Sequence, residues 1–248
     1  MKKSDVFEDF LNTFETDEIK EYCRDMIEQA PDYIWNIPAS TSMKYHNATQ
    51  CQPGGQLYHI LMACEIMNYI LSLEYVKNKF PQPKKRDCMR TAICLHDMVK
   101  CGWDGGQYTV HVHPVLAQKW VEETAVEHDI DSRLKKYIGR LIASHSGEWT
   151  TSNKSVVELP KLENDEQFII HLCDYLGSRA NLDMIYSEDI KTKIRAFQEL
   201  PDINEYKLTF GKHSGKTLPE ILSEDGSYIA WMKTQDLKYP VNELIKQL

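Results

Sequence analysis

The sequence predicts a mainly α-helical protein that ends in a small α+β module. Through residues 1–200, apolar residues recur at spacings of three and four, as on amphipathic helices, and no strand-like alternation of any length occurs. After Pro201 the pattern changes to period two over residues 206–210, followed by a glycine-containing turn. We therefore expect a helical domain over residues 1–204 and a small accessory module over residues 205–248.

Local signals bound the predicted helices. The prolines and glycines of residues 31–55 predict an irregular segment, and Pro81 and Pro83 end the helix that follows it. Pro114 suits the first turn of a helix, and Asp131 suits a helix cap. The expected helical segments are two runs within residues 1–30, then 56–80, 86–100, 114–121, 131–145, 166–185 and 190–200, with short helices at 218–222 and 227–234.

The composition is that of a folded globular protein. The chain has 248 residues, of which 42% are apolar and 27% charged, and this excludes wholesale disorder. No apolar run approaches the ~18–20 residues that span a bilayer, and the N-terminus lacks the apolar core of a secretory signal. The seven cysteines contain no C-x-x-C pair, so we expect reduced thiols in a cytoplasmic protein. The net charge of −8 disfavours extended binding to polyanions but allows a local basic groove.

Side chains of metal-ligand type fall on several predicted helices. The doublet His96-Asp97 follows an apolar stretch, which places a carboxylate within a helical bundle, where a cation or another partner must offset its burial. Alone, such a doublet also fits a helix cap or the protein surface. The other candidates each lie on a different predicted helix: His59, His113, His145 and Asp174. Bundles build metal sites from such inward side chains, and nitrogen with carboxylate ligands suits Mn, Fe, Co, Ni or Zn better than Ca.

Five short motifs contain these candidates. They are Gly54-Gly-Gln-Leu-Tyr-His59, His96-Asp-Met-Val-Lys100, His113-Pro-Val-Leu-Ala117, Ile142-Ala-Ser-His145 and Asp174-Tyr-Leu-Gly-Ser-Arg179. In order and spacing, the set resembles the HD-domain superfamily of metal-dependent phosphohydrolases over about residues 50–185. Within the superfamily it is most similar to the branch that includes bacterial HD-type 3′-to-5′ exoribonucleases. The resemblance implies an HD-domain helical bundle that hydrolyses phosphoesters or phosphodiesters with one or two divalent metal ions.

The resemblance also implies roles for individual residues. The core metal ligands would be His59, His96, Asp97 and Asp174. His113 and His145 match the histidines that hold a second metal in binuclear members, and Asp97 would bridge the metals or orient the attacking water. Lys100 matches a lysine that meets a phosphate oxygen. Arg179 is either a second cation of this kind or a helix-surface arginine.

Two positions depart from the family pattern. Ser146 stands where many relatives have a further histidine, which weakens the case for two metals. Val99 stands where relatives have a small residue, which could alter the shape of the pocket. The expected chemistry is otherwise that of a divalent metal, which lowers the pKa of bound water to about 7. A nucleophilic serine or cysteine is not required, and no catalytic triad is evident.

The remaining histidines carry weaker signals. His46 and His128 are expected at the surface or in loops. His111 forms a His-x-His pair and could replace its partner as a ligand. His171 precedes Asp174 by one helical turn, so it would either hold a ligand in place or pack in the core.

Three aromatic residues flank the motifs: Trp103, Tyr108 and Trp149. A nucleobase stacks on such rings with ~1–3 kcal/mol per base, and ordinary packing is the alternative. The glycines at 102–106 do not form a phosphate-binding P-loop, because the Gly-Lys-Ser/Thr ending is missing.

The end of the chain carries a second resemblance. Residues 208–218, Leu-Thr-Phe-Gly-Lys-His-Ser-Gly-Lys-Thr-Leu, and the later Tyr228-Ile-Ala-Trp231 resemble the small C-terminal domain found after exonuclease X-type nucleases. The resemblance implies an accessory, nucleic-acid-related module. Lys212 and Lys216 would project from its glycine turn and could reach phosphates. The alternative is a solvated turn, since the module has no net charge.

Three functions are compatible with the sequence. The first is a metal-dependent phosphohydrolase or phosphodiesterase that acts on nucleotide phosphoester bonds at single-stranded nucleic-acid 3′ ends. The second is hydrolysis of a small nucleotide, such as a dNTP, a dNMP or a cyclic (di)nucleotide, which the acidic net charge favours. The third is a non-catalytic nucleotide-binding regulator with an HD fold, against which the complete set of buried ligands argues.

Overall fold

The computed structural model describes residues 1–40, 44–106, 108–235, 237 and 239–248 of the chain. The described part is mainly helical, as the apolar periodicity predicts. It forms two compact units, Met1–Gln198 and Glu199–Leu248, and this division lies close to the boundary expected near residue 204. In the part of the chain that the structure describes, the helices are too short or too polar to cross a membrane.

The first unit is a set of α-helices joined by turns and loops. In chain order they are α1 (Glu8–Leu11), α2 (Asp17–Glu28), α3 (Gly55–Ser72), α4 (Glu74–Lys79), α5 (Pro83–Leu95), α6 (His113–Glu123), α7 (Ser132–Ala143), α8 (Asp165–Gly177) and α9 (Glu188–Arg195), with 3-10 helices at Lys3–Phe7 and Asp32–Trp35. Pro83 and Pro114 lie in the first turns of α5 and α6, where the missing N–H of proline leaves no helical bond unmade. Side-chain oxygens of Asp131, Asn164 and Ser187 each accept a backbone N–H at the starts of α7, α8 and α9.

Several helices end earlier than the sequence pattern predicts: the expected helix 56–80 is divided into α3 and α4, α9 ends at Arg195 rather than near 200, and α5 and α8 are also shorter. α5 ends at Leu95, so His96-Asp97 lies in the turn after the helix rather than within it. The reason is local competition, because Nδ1 of His96 donates to the carbonyl of Ile93 at 2.6 Å. A continuing helix would need that carbonyl for the N–H of the next residue. α8 ends at Gly177, well before the expected end near residue 185.

The core of the first unit is built around α3 and α5. α3 packs on α5 and α8, and α5 also packs on α2 and α7. Within α5 the buried carboxylate of Asp87 accepts the backbone N–H groups of Glu15 and Thr16, at 3.0 and 2.7 Å, and a bond from Arg90 at 2.7 Å. These contacts tie the N-terminal segment to α5 and satisfy the buried charge. The C-terminal end of α5 then carries His96-Asp97 into the centre of the unit.

The second unit is helical, with minimal strand pairing among its described residues. Its helices are α10 (Leu218–Glu224), α11 (Gly226–Met232) and α12 (Val241–Leu244), followed by a 3-10 helix at Ile245–Gln247. The alternation at 206–210 predicts a strand, but it forms only an isolated antiparallel bridge between Lys207 and Thr217. Two observations explain this. The N–H of Leu208 donates to the carbonyl of Lys216 at 2.8 Å, which closes the glycine turn, and α10 begins directly after Thr217.

Candidate metal centre

Six side chains from five parts of the first unit converge at one place. His59 lies near the start of α3, His96 and Asp97 follow α5, His113 begins α6, His145 follows α7 and Asp174 lies on α8. Four of the six are almost wholly buried: His59, His96, Asp97 and His145. The fold therefore brings together every residue that the sequence nominated as a metal ligand.

Two glycines allow the chain to enter α3 at the angle that places His59. Gly54 has a φ of 76°, in the left-handed region where glycine is favoured. At Gly55 a Cβ atom would lie 2.0 Å from the carbonyl oxygen of Gln50, so no side chain fits there. The motif Gly54-Gly-Gln-Leu-Tyr-His59 is thus a tight entry turn joined to the first ligand of the cluster.

The first group of ligand atoms comes from His59, His96, Asp97 and Asp174, and all of them lie within 4.8 Å of one another. Nε2 of His59 is 3.0 Å from Oδ1 of Asp174 and 3.4 Å from Nε2 of His96. Nε2 of His96 is 3.5 Å from Oδ2 of Asp97. Two imidazoles and two carboxylates around one small space form a donor set that could hold a metal ion.

The second group comes from Asp97, His113 and His145. Here Oδ1 of Asp97 lies 3.0 Å from Nε2 of His113 and 3.7 Å from Nε2 of His145. Asp97 therefore presents Oδ2 to the first group and Oδ1 to the second. One carboxylate shared between two groups of histidines is an arrangement that could bridge two ions.

The hydrogen bonds of the histidines leave lone pairs that point into the cluster. Nδ1 of His96, His113 and His145 lies 2.6–2.8 Å from the carbonyl oxygen of the residue three positions earlier. A carbonyl only accepts, so each of these Nδ1 atoms carries the proton and each neutral ring has an unprotonated Nε2. Nε2 of His113 and Nε2 of His145 nevertheless face each other at 3.1 Å. Two lone pairs at this distance fit a shared cation.

Burial and neighbouring charge set the ionisation of the cluster. Burial alone would raise the pKa of Asp97, but the Lys100 ammonium and the imidazoles outweigh it and hold this pKa well below the usual range. For Asp174 burial acts in the same sense, and the neighbouring imidazoles of His59 and His96 hold its pKa well below normal. Burial lowers the pKa of His145 to about 3. Ionised carboxylates and a neutral imidazole are the forms that bind metal.

Two further side chains hold Asp97. Nζ of Lys100 lies 2.6 Å from Oδ2 of Asp97, and Nε2 of Gln56 donates to the same oxygen at 3.0 Å. Lys100, which the sequence nominated to meet a phosphate, is thus paired with a ligand and remains 11% exposed. The sequence analysis did not single out Gln56. The sequence feature that could have identified Gln56 is its position directly after Gly54-Gly55, in the motif that contains His59.

His46 lies in a loop, one of the two alternatives expected from the sequence, but it is half-buried rather than at the surface. Its ring lies against His59 with centroids 5.2 Å apart, and its Nδ1 is 2.6 Å from Oε1 of Gln50. Burial lowers the pKa of His46 to about 4. The reason for the difference is tertiary, since Gln50 also donates to the carbonyl of Gly177 at 3.0 Å and anchors this segment beside the cluster.

The other histidines lie outside the cluster. His128 is exposed and its Nδ1 pairs with Asp25 at 3.0 Å, as expected for a surface residue. Nε2 of His111 is 3.2 Å from the carbonyl of Val157, so this ring does not replace its His-x-His partner. Nδ1 of His171 is 2.8 Å from the carbonyl of His145, which places His171 behind a ligand through its backbone.

Aromatic rings lie beside the cluster. Trp149 is 51% exposed and its ring stacks on that of Tyr175, with centroids 5.7 Å apart and an interplanar angle of 17°. Arg179 lies in the turn after α8 rather than on the helix, with its guanidinium carbon 4.1 Å from the centre of the Tyr175 ring. Trp103 and Tyr108 are also exposed.

The lysines of the C-terminal turn are paired with acidic residues of the same unit. Nζ of Lys212 lies 2.6 Å from Oδ2 of Asp225, and Lys216 pairs with Glu224. Nε2 of His213 is 3.1 Å from the same oxygen of Asp225. A phosphate at this turn would therefore compete with these carboxylates.

Comparisons with known proteins address the second unit. Residues 208–236 match the family model described as Exodeoxyribonuclease X-like C-terminal. No curated protein and no solved structure matches the chain. The chain therefore combines a segment that is similar to a nuclease-related family with a buried histidine and aspartate cluster that could hold a metal ion.

Proposed function

We propose that the protein is an HD-type metal-dependent phosphohydrolase that hydrolyses phosphodiester bonds at the 3′ ends of single-stranded nucleic acid. The observation that carries the proposal is the sharing of Asp97 between two groups of histidines. The order of the five HD-like motifs and the match of residues 208–236 support it. The substrate class follows from this combination, because a free nucleotide needs no nuclease-related module.

The proposed cofactor is a divalent transition metal of the group Mn, Fe, Co, Ni and Zn, bound as two ions. His59, His96, Asp97 and Asp174 would hold one ion, and Asp97, His113 and His145 the other. Such ions supply Lewis-acid activation of water and of the phosphoryl group. The convergent Nε2 atoms and the two-sided carboxylate fit this cofactor.

The chain's own residues would prepare the site for that chemistry. Gln56 and Lys100 orient the carboxylate of Asp97. When substrate binds, the Lys100 ammonium would also donate a hydrogen bond to a non-bridging phosphate oxygen. The Nδ1 bonds to backbone carbonyls fix the orientation of the ligand rings. His171 holds the carbonyl of His145 and thereby the turn on which that ligand sits.

The two units would have different roles. Residues 1–204 would form the catalytic domain, with Trp149 and Arg179 on the substrate side, and residues 205–248 would form an accessory domain. In the accessory domain Lys212 and Lys216 would exchange their carboxylate partners for phosphates. This exchange predicts weak, salt-sensitive contacts.

A second candidate function is hydrolysis of a small nucleotide. The net charge of −8 favours it, because a mononucleotide needs only the metal cluster and one or two cations. A non-catalytic nucleotide-binding regulator is the third candidate, and it would bind metal and nucleotide without turnover.

The test is product analysis by mass spectrometry. The full-length protein with Mn²⁺ receives a mixture of nucleotides and a labelled single-stranded oligonucleotide, beside the variants Asp97→Asn and His113→Gln. His111→Gln is the matched control, since it removes the histidine of the same His-x-His pair that lies outside the cluster. Shortened oligonucleotide and released mononucleotides, absent in the first two variants and retained in the control, would support the proposal. An intact oligonucleotide with one nucleotide consumed would support the second candidate, and binding without any product the third.

A further inference from the structure

Four side chains form a continuous row of rings and charge, which we call the aromatic row: Trp149, Tyr175, Arg179 and Tyr45. Trp149 stacks on Tyr175. The guanidinium carbon of Arg179 lies 4.1 Å from the ring centre of Tyr175 and 5.4 Å from that of Tyr45. The two ends of the row are open to solvent, since Trp149 is 51% and Tyr45 57% exposed.

The aromatic row adjoins the histidine and aspartate cluster at three points. Tyr175 directly follows the ligand Asp174 on α8. Tyr45 directly precedes His46, whose ring contacts His59. Trp149 also contacts the ring of His171, which holds the carbonyl of His145. A molecule bound along the row would therefore lie beside the histidine and aspartate cluster.

Arg179 is the cation of the aromatic row, and its ion pairs and hydrogen bonds indicate which ligand fits there. Among the residues that the structure describes, no carboxylate lies within ion-pair distance of Arg179. Its Nε is buried without a hydrogen-bond partner, and its Nη2 donates to Oγ of Ser178 at 2.8 Å. A guanidinium without a carboxylate partner suits an anionic ligand that supplies an acceptor.

Rings and an unpaired guanidinium in one row match the chemistry of single-stranded nucleic acid. Every base has a face that stacks on an aromatic ring, whereas the phosphates need a cation. The arginine disfavours a cationic ligand, which open aromatic rings alone would accept. The combination also explains how a chain of net charge −8 could bind a polyanion, because stacking contributes affinity without positive charge.

We propose that the aromatic row binds the bases and one phosphate of a single strand whose 3′ end lies in the histidine and aspartate cluster. The inference rests on the proposed phosphodiesterase function. It makes a strand of several nucleotides, rather than a free nucleotide, the preferred substrate. Binding is tolerant of base identity, since stacking does not read hydrogen-bond patterns.

The test measures binding and hydrolysis separately. Anisotropy of a 5′-fluorescein single-stranded oligonucleotide of about 12 nucleotides, a length within known site sizes, is recorded with the full-length protein in EDTA, so that the strand stays intact. The variants are Trp149→Ala, Tyr45→Ala and Arg179→Gln. Tyr75→Ala is the matched control, because Tyr75 lies on α4 and is 76% exposed. Hydrolysis of bis(p-nitrophenyl) phosphate with Mn²⁺ reports the cluster alone.

Each ring variant should bind the oligonucleotide about fivefold more weakly or worse, while the control binds as the wild type does. Arg179→Gln should also reduce the slope of log affinity against log salt by about 0.7, whereas Trp149→Ala should leave that slope unchanged. Hydrolysis of the small diester should remain close to the wild-type rate in the control Tyr75→Ala, and in the row variants it should fall less than oligonucleotide binding does. Equal melting temperatures would establish that the variants are folded.

Two outcomes overturn the aromatic row and leave the proposed function intact. One is wild-type binding by all three row variants, and the other is a wild-type protein that hydrolyses the small diester without binding the oligonucleotide. A protein that hydrolyses no phosphodiester, but whose binding falls in the row variants, would contradict the proposed function and support the row as a nucleic-acid surface.

Discussion

His113 and His145 face each other through their Nε2 atoms at a distance of 3.1 Å. Each ring has its proton on Nδ1, because each Nδ1 lies 2.8 Å from a backbone carbonyl. The two Nε2 lone pairs therefore face each other. Oδ1 of Asp97 lies 3.0 Å from Nε2 of His113 and completes a three-ligand group. This group of ligand atoms could hold a metal ion.

Adding metal should stabilise the protein. An ion that binds only the folded state contributes about 2.7 kcal/mol when its concentration is 100 times its Kd. We expect the midpoint of thermal unfolding to rise when Mn²⁺ or Zn²⁺ is added to EDTA-treated protein. Asp97→Asn should show little of this rise, and His128→Gln, which alters an exposed histidine, should show all of it. Equal midpoints with and without metal would contradict a metal site in the cluster.

The number of bound ions should depend on which ligand is removed. The wild type should hold about two equivalents by elemental analysis, and His145→Gln or Asp174→Asn about one each. Asp97→Asn should lose more than either, because Asp97 belongs to both groups. The wild type and His145→Gln would hold the same number of ions if only the first group binds metal.

Removing the hydrogen bond from His171 to the backbone carbonyl of His145 should weaken activity without removing a candidate metal ligand. His171→Phe deletes the Nδ1 donor to the carbonyl of His145 and keeps a ring of similar size. Mutation of a side chain that hydrogen-bonds to a metal-ligating residue typically lowers metal affinity or activity about 10–100-fold, so we expect a loss in that range. The measurement is hydrolysis of bis(p-nitrophenyl) phosphate across a metal titration, which separates weaker metal binding from slower turnover. His171→Asn, which retains a donor, should recover part of the loss.

A side chain at position 147 should disturb the turn that carries His145. Gly147 has a φ of 62°, and a Cβ there would lie 2.3 Å from the ring of His171. Gly147→Ala should therefore lower the free energy of unfolding by about 1–3 kcal/mol, measured by urea denaturation. Gly106→Ala is the control, since its Cβ would meet nothing closer than 3.4 Å. Equal losses in the two variants would count against this account of the turn.

The ion pairs of Glu15 should make stability depend on pH in the acid range. Hydrogen bonds from Arg86, and then from Arg90, hold the pKa of Glu15 at about 2, compared with 4.5 for an ordinary glutamate. Because the folded-state pKa is the lower one, the stabilisation is present above about pH 4.5 and is lost as the pH falls towards about 2. Glu15→Gln should therefore unfold at lower urea than the wild type at pH 7, and the gap should close as the pH falls through that window.

The control for this pH dependence is Glu123→Gln. Its carboxylate is 66% exposed and lies 3.9 Å from Lys119, an exposed pair of little expected value. The variant should follow the wild type at every pH. A gap between Glu15→Gln and wild type that stays constant from pH 7 to pH 2 would rule out ionisation of Glu15 as its cause.

Local patterns predicted much of the helical unit and failed where neighbours compete. The apolar spacing located the helices because burial of one face has a period that can be read along the chain. It overran the end of α5, where a side-chain bond from His96 takes the carbonyl of Ile93. It also predicted a strand at 206–210, where a tight turn and the start of α10 leave only one bridged pair.

Residue type and spacing, which can be read along the chain, were enough to predict the helical class and to nominate the six residues that meet in the cluster. Only the tertiary structure decided that Asp97 divides its two oxygens between two groups of histidines. It also decided that His46 lies against His59, and that Trp149 stacks on Tyr175. These contacts join segments distant in sequence, and their geometry depends on how whole helices pack, which no local pattern encodes.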